Sequence, residues 1–188
     1  MKYLAIGLLA LGLVGAVIYG GSARAALKVG DIAPDFTTPA SLAGKEFSFS
    51  LADARAKGPV VLYFYPAAFT PGCTIEAHDF AEATDEFKRL GATVIGVSAD
   101  SVETLNKFSV TDCRNKFPVA SDKDLKIIKE YGVTLPLKPS IANRTSFVIA
   151  PDGKILFTYS ALNPAHHVEY TMDAVKKWDA ANKKPAGH

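Results

Sequence analysis

The chain has 188 residues, 48% of them hydrophobic, with 21 basic and 19 acidic side chains and a formal net charge of +2. This length and composition predict one domain with a full hydrophobic core. The charge pattern gives no basic patch for a nucleic-acid partner. The lysines near the C-terminus have instead the pattern of a solvated helix face and tail: Lys176, Lys177, Lys183 and Lys184.

Residues 1–25 have the order of a secretory signal. Lys2 supplies a positive start, residues 3–19 are uncharged and largely apolar, and Ala23-Arg24-Ala25 forms a small-x-small cleavage site. We therefore expect export to the periplasm or another extracytoplasmic space. A membrane anchor retained through residues 3–19 is one alternative, although such a stretch is short for a spanning helix. A buried helix of the domain is the other.

Cleavage before Ala26 would leave one domain over residues 26–188. It would remove Lys2 and Arg24 but no acid, so the basic residues would fall from 21 to 19, equal to the 19 acids. The mature net charge would then be zero. In an oxidising compartment, two cysteines usually form a structural disulfide, which is a first interpretation of the cysteine count.

The domain is predicted to begin with short elements. Residues 27–49 have the pattern of a leading loop and short strands, with turns at Thr38-Pro39 and Gly44-Lys45. A short helix is predicted over residues 51–56, with Ser50 as its N-cap.

A central strand is predicted next, over residues 60–65, because this run is entirely apolar and rich in β-branched and aromatic side chains. Pro66 ends the strand, and Pro71-Gly72 favours a turn. Apolar residues then recur with helical spacing over residues 74–90. Cys73 should therefore lie in the first turn of a helix, off the carboxyl end of a central strand, where open α/β sheets place their sites.

The position of Cys73 favours a reactive thiolate. The start of a helix offers unpaired N–H groups and a partial positive charge, which both favour the ionised sulfur. Thr70, three residues upstream, can offer its hydroxyl to the sulfur or to a bound oxygen. An enzyme working through this thiolate also needs a cation beside the sulfur to stabilise the leaving group.

The remaining elements alternate and end in a hairpin and a helix. A turn over residues 151–154 joins the last two strands, and Ser101 caps a helix. This order predicts a thioredoxin-like α/β fold, with a central mixed sheet flanked by helices. The predicted strands are residues 93–98, 117–120, 145–150 and 155–160, and the predicted helices are residues 102–113, 124–131 and 166–181.

The pattern Pro-x-x-x-Thr-x-x-Cys, formed by Pro66, Thr70 and Cys73, resembles the active-site segment of the peroxiredoxins. The flanking residues are most similar to the bacterioferritin comigratory proteins, or Q-type subfamily. The arginine of that family falls on Arg144, and residues 29–36 match as well. The resemblance covers residues 27–180, nearly the whole mature chain.

The resemblance implies a thiol peroxidase that reduces hydrogen peroxide or organic hydroperoxides and converts Cys73 to a sulfenic acid. Arg144 is then expected to hold the thiolate and the peroxide oxygens, and Pro66 to shield the sulfur. Glu76 is either an acid that suits a helix start or a group that orders Arg144. No metal, haem or flavin is implied. An external dithiol such as a thioredoxin-like protein is the expected reductant, and a monomer is the expected state.

The second cysteine of many Q-type members is absent at its usual position in this chain. Many Q-type members carry it five residues after the first, where this chain has His78. Some relatives carry a resolving cysteine in the region of Cys113, so the resemblance implies that Cys113 forms a disulfide with Cys73. The two cysteines lie on different predicted helices. If their Cα atoms are more than about 7 Å apart, local unwinding must precede the bond.

Two other functions are alternatives on the same fold. A thiol–disulfide oxidoreductase needs Cys-x-x-Cys, which this chain does not contain. A metal carrier needs two close cysteines and a histidine, and the sequence has no compact ligand cluster. His166 and His167, at the predicted start of the last helix, are expected to be a solvated pair.

Overall fold

The computed structural model describes residues 25–182, which leaves residues 1–24 of the predicted signal outside the described part. The described residues contain seven strands and five helices. The strands are β1 (Thr37–Leu42), β2 (Lys45–Ser50), β3 (Val60–Phe64), β4 (Thr93–Ser98), β5 (Val119–Ser121), β6 (Thr145–Ile149) and β7 (Ile155–Ser160). The helices are α1 (Leu51–Arg55), α2 (Pro71–Arg89), α3 (Val102–Thr111), α4 (Lys126–Glu130) and α5 (His167–Asn182).

The strands form one mixed sheet in the order β2-β1-β5-β4-β3-β6-β7. The central strand β3 pairs in parallel with β4 and antiparallel with β6. The chain therefore has the predicted thioredoxin-like α/β architecture, a mixed sheet with helices on both faces.

The alternation of side chains along β3 divides the core in two. Leu62 and Phe64 pack into one apolar cluster, whereas Tyr63 and Tyr65 pack into the other. Buried side chains of α1 and α4 join the first cluster, and those of α2, α3 and α5 join the second. Because both faces are covered, the strand consists of consecutive apolar residues instead of alternating polar and apolar ones.

The predicted turn at Thr38-Pro39 is wrong, because both residues lie within β1. Pro39 is tolerated there because pairing of β1 with β5 covers only Ala40 and Ser41, so Pro39 has β2 as its one neighbouring strand. The turn predicted around Gly44 is confirmed as the β1–β2 hairpin. Across the described residues, no helix is long and apolar enough to cross a membrane.

Candidate active site

The pairing of β3 with β6 brings two distant parts of the chain together. Phe64, the last residue of β3, lies opposite Thr145, the first residue of β6. Since the strands are antiparallel, the chain leaving β3 toward α2 and the chain entering β6 meet at one edge of the sheet. Arg144, immediately before β6, therefore reaches Cys73, although the two residues are 71 positions apart.

Helix α2 begins earlier than predicted, and Pro71-Gly72 is part of its first turn and not a separate turn. Proline suits the first helical position, where its missing N–H would have had no helical partner. Cys73 is the third residue of this 19-residue helix and is only 2% exposed. The free N–H groups and the dipole of the helix both favour negative charge on its sulfur.

Arg144 fixes the geometry of the site, because its guanidinium donates in three directions. Nη2 donates to Sγ of Cys73 at 3.4 Å, Nη1 donates to Oε2 of Glu76, and Nε donates to the carbonyl oxygen of Leu162 at 2.9 Å. Arg144 is only 3% exposed. This is the cation that the chemistry of a reactive thiolate requires, held rigidly by a planar donor set.

Gly72 leaves the space through which Arg144 approaches the helix. A Cβ at this position would lie 3.1 Å from Nη2 of Arg144 and 3.9 Å from Cδ of Pro164. Any larger residue would therefore crowd the guanidinium group that contacts Cys73. The sequence pattern gave no sign of this role for Gly72.

Glu76 lies one helical turn after Cys73 and is completely buried. Burial raises its pKa to about 8, although the charge and hydrogen bond of Arg144 oppose that rise. Of the two sequence-based interpretations of Glu76, the structure supports the one in which it orders Arg144.

The other two residues of the motif lie in the loop between β3 and α2. Pro66 lies two residues after the end of β3 and is half-buried. Thr70 is exposed and is the N-cap residue, and its Oγ1 donates to the carbonyl oxygen of Ala67 at 3.0 Å. No hydrogen bond from Thr70 to the sulfur of Cys73 is present in the described part of the chain. A contact of Thr70 with a bound oxygen stays a prediction.

Cys113 lies beyond the end of α3, whereas the sequence placed it inside that helix. The next two residues, Arg114 and Asn115, have φ angles of 50° and 59°, which an α-helix cannot accommodate. Cys113 is a buried free thiol. Burial raises its pKa well above the usual range, and the nearby carboxylate of Asp112 raises it further. In this conformation Cys113 is therefore held as a thiol.

A hydrogen bond joins the segments that carry the two cysteines. Oγ1 of Thr74, the residue after Cys73, donates to Oδ1 of Asp112, the residue before Cys113, at 2.6 Å. Both cysteines belong to the same apolar cluster, and both are free thiols. The sequence gave no indication of this link, because its two members are 38 residues apart.

The expectation of a solvated histidine pair is wrong for one member. His166 is exposed, but His167 is completely buried at the start of α5. Its ring is 4.7 Å from that of Tyr159 and hydrogen-bonds Oγ of Ser146 and the carbonyl oxygen of Ala161. The reason is that the start of α5 packs on β6 and β7, a contact that the spacing along the helix does not encode.

His78, which occupies the position of the second cysteine in many Q-type proteins, is half-buried in α2. Within residues 25–182, no group of three or more histidine, cysteine or acidic side chains could hold a metal ion.

Comparison of sequences connects this geometry to known proteins. The profile of the AhpC/TSA family matches residues 29–158. Peroxiredoxin Bcp of Escherichia coli K12 is 33% identical over 156 residues, which cover 80% of this chain and 97% of that protein. The chloroplastic peroxiredoxin Q of Triticum aestivum is 35% identical over 149 residues, which cover 78% of this chain and 66% of that protein.

Comparison with solved structures leads to the same group of proteins as the sequence comparison. The crystal structure of peroxidoxin BcpB from Mycobacterium tuberculosis superposes with a TM-score of 0.73 and 32% identity, covering 84% of this chain and 99% of that one. AhpC of the same organism superposes with a TM-score of 0.73 at 22% identity, covering 85% and 97%, which shows a shared fold.

Proposed function

This chain belongs to the AhpC/TSA family and is a peroxiredoxin, a thiol peroxidase, and from that premise we propose that Cys73 reduces hydrogen peroxide and organic hydroperoxides with Cys113 as the resolving cysteine. A thioredoxin-like dithiol protein is the proposed reductant. The expected monomeric state stays a prediction.

The contact between Nη2 of Arg144 and Sγ of Cys73 carries this proposal. It joins a buried thiol at a helix start to a buried cation, and Glu76 holds the other side of that cation. A cation and a helix dipole on one sulfur favour the thiolate, and the same guanidinium can stabilise charge that develops on a peroxide oxygen.

The first step consumes the peroxide. The thiolate of Cys73 attacks one peroxide oxygen, an S–O bond forms and the O–O bond breaks. Cys73 becomes a sulfenic acid, and the leaving oxygen takes a proton to become water or an alcohol. Arg144 supports this step by stabilising the negative charge on the leaving oxygen.

The second step restores the enzyme. Cys113 attacks the sulfenic sulfur, a disulfide forms and water leaves, and an external dithiol then reduces the disulfide to two thiols. The attacking group must be a thiolate, yet burial holds Cys113 as a thiol in the reduced fold. We therefore infer that the Cys113 segment rearranges before the disulfide forms.

Replacing Cys113 with serine tests its role as the resolving residue. The variant should still consume one equivalent of peroxide, then accumulate sulfenic acid and pass to sulfinic acid with excess peroxide. Mass spectrometry of oxidised wild-type protein should show a Cys73–Cys113 bond, about two mass units below the reduced chain. A Cys73 adduct with a free Cys113 in the wild type would instead indicate that an external thiol resolves Cys73.

The bond between Thr74 and Asp112 is the contact that should oppose this rearrangement. Three other links hold the Cys113 segment on α2. Two are exposed ion pairs, from Arg114 to Glu82 and from Lys116 to Asp85, and the third is an exposed hydrogen bond of 3.3 Å from Nζ of Lys88 to the carbonyl oxygen of Lys116. Exposed ion pairs contribute little to stability. The hydrogen bond from Thr74 is partly buried and its acceptor is a carboxylate. It should therefore contribute most to holding the Cys113 segment on α2.

Thr74→Val is therefore expected to accelerate disulfide formation up to about tenfold. The substitution removes one hydrogen bond that stabilises the conformation in which Cys113 is buried. Thr111→Val is the matched control. Oγ1 of Thr111 also donates to Asp112, but the two residues are adjacent, so losing this bond leaves the link between α2 and the Cys113 segment intact. Stopped-flow fluorescence after one equivalent of peroxide measures the rate of disulfide formation in both variants. A slower disulfide step in Thr74→Val would mean that the bond aligns the two thiols.

A further inference from the structure

The loop between β3 and α2, residues 65–70, has a strained backbone. Phe69 has a φ angle of 62°, in the left-handed region that a bulky side chain rarely adopts. Its ring packs edge-on against Phe108 of α3, with 5.2 Å between the ring centroids. Strained backbone of this kind persists only where surrounding contacts restrain it. The contacts that restrain this loop also fix Pro66 and Thr70, which it carries.

The peptide group between Ala67 and Ala68 is held from both sides. Its N–H, on Ala68, donates to Oδ2 of Asp100 at 2.8 Å. Its carbonyl oxygen, on Ala67, accepts from Oγ1 of Thr70 at 3.0 Å. The peptide is trans, so these two groups point in opposite directions. A carboxylate on one side therefore sets the direction of the carbonyl group that binds the hydroxyl of Thr70 on the other side.

Asp100 is itself fixed at the end of a neighbouring strand. It follows β4, which runs parallel to β3, so the two strands end at the same edge of the sheet. Oγ of Ser98 donates to the same Oδ2 of Asp100 at 2.8 Å, and Oγ of Ser121 donates to its carbonyl oxygen at 2.6 Å. Hydrogen bonds to a carboxylate are stronger than those between neutral groups. The bond from Ala68 thus ties the loop before Cys73 to a rigid strand end.

The bond to Ala67 determines which further hydrogen bonds the hydroxyl of Thr70 can make. Thr70 is the N-cap residue of α2, where a threonine ordinarily accepts from an N–H group of the first turn. Here its side chain makes no such bond. A hydroxyl has one proton and two lone pairs, and this proton is already donated to Ala67. Any further hydrogen bond at Oγ1 must be accepted, and the O–H of a hydroperoxide is a suitable donor.

We propose that Asp100 is a positioning residue for the substrate. Through the peptide between Ala67 and Ala68 it keeps the hydroxyl of Thr70 donating to Ala67, so that Oγ1 accepts the O–H of the hydroperoxide that Cys73 attacks. This inference rests on the proposed function in taking a hydroperoxide as the substrate. Without Asp100 the peptide is free to rotate, and the hydroxyl of Thr70 turns to the N–H groups at the start of α2, as in an ordinary N-cap.

Asp100→Ala removes the carboxylate without touching Cys73 or Arg144. Its second-order rate constant with hydrogen peroxide, measured by stopped-flow fluorescence, should fall about tenfold, the effect of losing one hydrogen bond to a charged group. Asp100→Asn should stay within about threefold of wild type, because an amide oxygen still accepts from the N–H of Ala68. An unchanged rate constant in Asp100→Ala overturns the proposal, and so does an equal loss in Asp100→Asn.

Alkylation of Cys73 by iodoacetamide separates this role from a general disturbance of the site. Iodoacetamide has no O–H group for Thr70 to accept. Alkylation of Asp100→Ala at about pH 7, quantified by peptide mass spectrometry, should therefore stay within about twofold of wild type. If Asp100 only keeps the loop folded, the access to Cys73 changes as well. Alkylation would then change as much as the peroxide rate constant, which contradicts the proposal.

Ser121→Ala is the matched control for the strand end. It removes the bond that holds the carbonyl group of Asp100 on β5 but leaves the bond between the carboxylate and Ala68 in place. Its rate constant with hydrogen peroxide should stay within about twofold of wild type, while its resistance to urea falls. A tenfold loss of rate in Ser121→Ala, roughly one lost hydrogen bond, would show that the stability of the strand end sets the rate, and the proposal would fall.

Thr70→Val tests whether the effect of Asp100 passes through Thr70. Valine has nearly the shape of threonine but no hydroxyl. Adding Asp100→Ala to Thr70→Val should cause no further loss of the peroxide rate constant, because the two substitutions interrupt the same chain of contacts. Losses that multiply in the double variant would show that Asp100 acts by another route.

Asp100→Ser decides the question if Asp100→Ala does not fold. Serine keeps a polar group at the end of β4, but its side chain is one bond shorter and leaves the N–H of Ala68 without its acceptor, so the same loss is expected. Failure of the proposed function gives a different result, because wild-type protein itself would then not react with hydrogen peroxide. A reactive wild type together with an unaffected Asp100→Ser contradicts this inference alone.

Discussion

Cys73→Ser is expected to abolish peroxide reduction, lowering the rate by at least about a thousandfold. In the proposed mechanism Cys73 reacts from the first turn of α2, and Nη2 of Arg144 lies 3.4 Å from its sulfur. A serine hydroxyl does not ionise near neutral pH even in these surroundings, so the nucleophile is lost while the fold is retained. Peroxide consumption with dithiothreitol as the reductant measures the change.

Cys113→Ser is the matched control for this experiment. It makes the same chemical change at the other buried cysteine but should leave the first equivalent of peroxide consumption intact. Peroxidase turnover that survives in Cys73→Ser would remove Cys73 from the reaction. Equal losses of the first equivalent in both variants would show that the assigned roles of the two cysteines are wrong.

Arg144→Lys is expected to lower the second-order rate constant with hydrogen peroxide by about tenfold to a hundredfold. Arg144 uses three different nitrogens to reach Cys73, Glu76 and the carbonyl oxygen of Leu162. A lysine ammonium is one nitrogen on a flexible stem and cannot make these contacts in fixed directions. The cation near the sulfur would be retained, but its orientation would be lost.

Arg55→Lys provides the comparison for this substitution. Nη2 of Arg55 bonds both oxygens of Asp35, at 2.8 and 2.7 Å, and the pair takes no part in the site around Cys73. The variant should alter stability alone and leave the rate constant unchanged. An unchanged rate constant in Arg144→Lys, measured by competition for peroxide, would mean that Arg144 has no part in the chemistry.

The sequence was sufficient for features that depend on local chemistry. The bounds of β4 and β7 were predicted as the structure has them, because each is an apolar or aromatic run between turn residues. Cys73 was placed at a helix start by proline, glycine and the periodicity that follows it. Arg144 was found only through the resemblance to the peroxiredoxins, since nothing in its own segment marks it.

Helix ends and proline positions were predicted less well. The helix before Cys113 stops two residues early because Arg114 and Asn115 adopt left-handed conformations. Pro39 was assigned to a turn but lies in a strand with little pairing on one side. For Pro39 the neighbouring strands outweigh local preference, as tertiary context often does for short segments.

Only the tertiary structure decided which polar groups meet in the core. His167 and Glu76 are 91 positions apart, counted from 167 minus 76, and Thr74 and Asp112 are 38 apart. Helical periodicity tells which face of α2 or α5 turns inward, but the residue on the opposing element depends on how the helices cross the sheet. The sequence therefore predicted the fold and the proposed nucleophile, whereas packing determined which groups contact Cys73 and which ones hold the segment of Cys113 on α2.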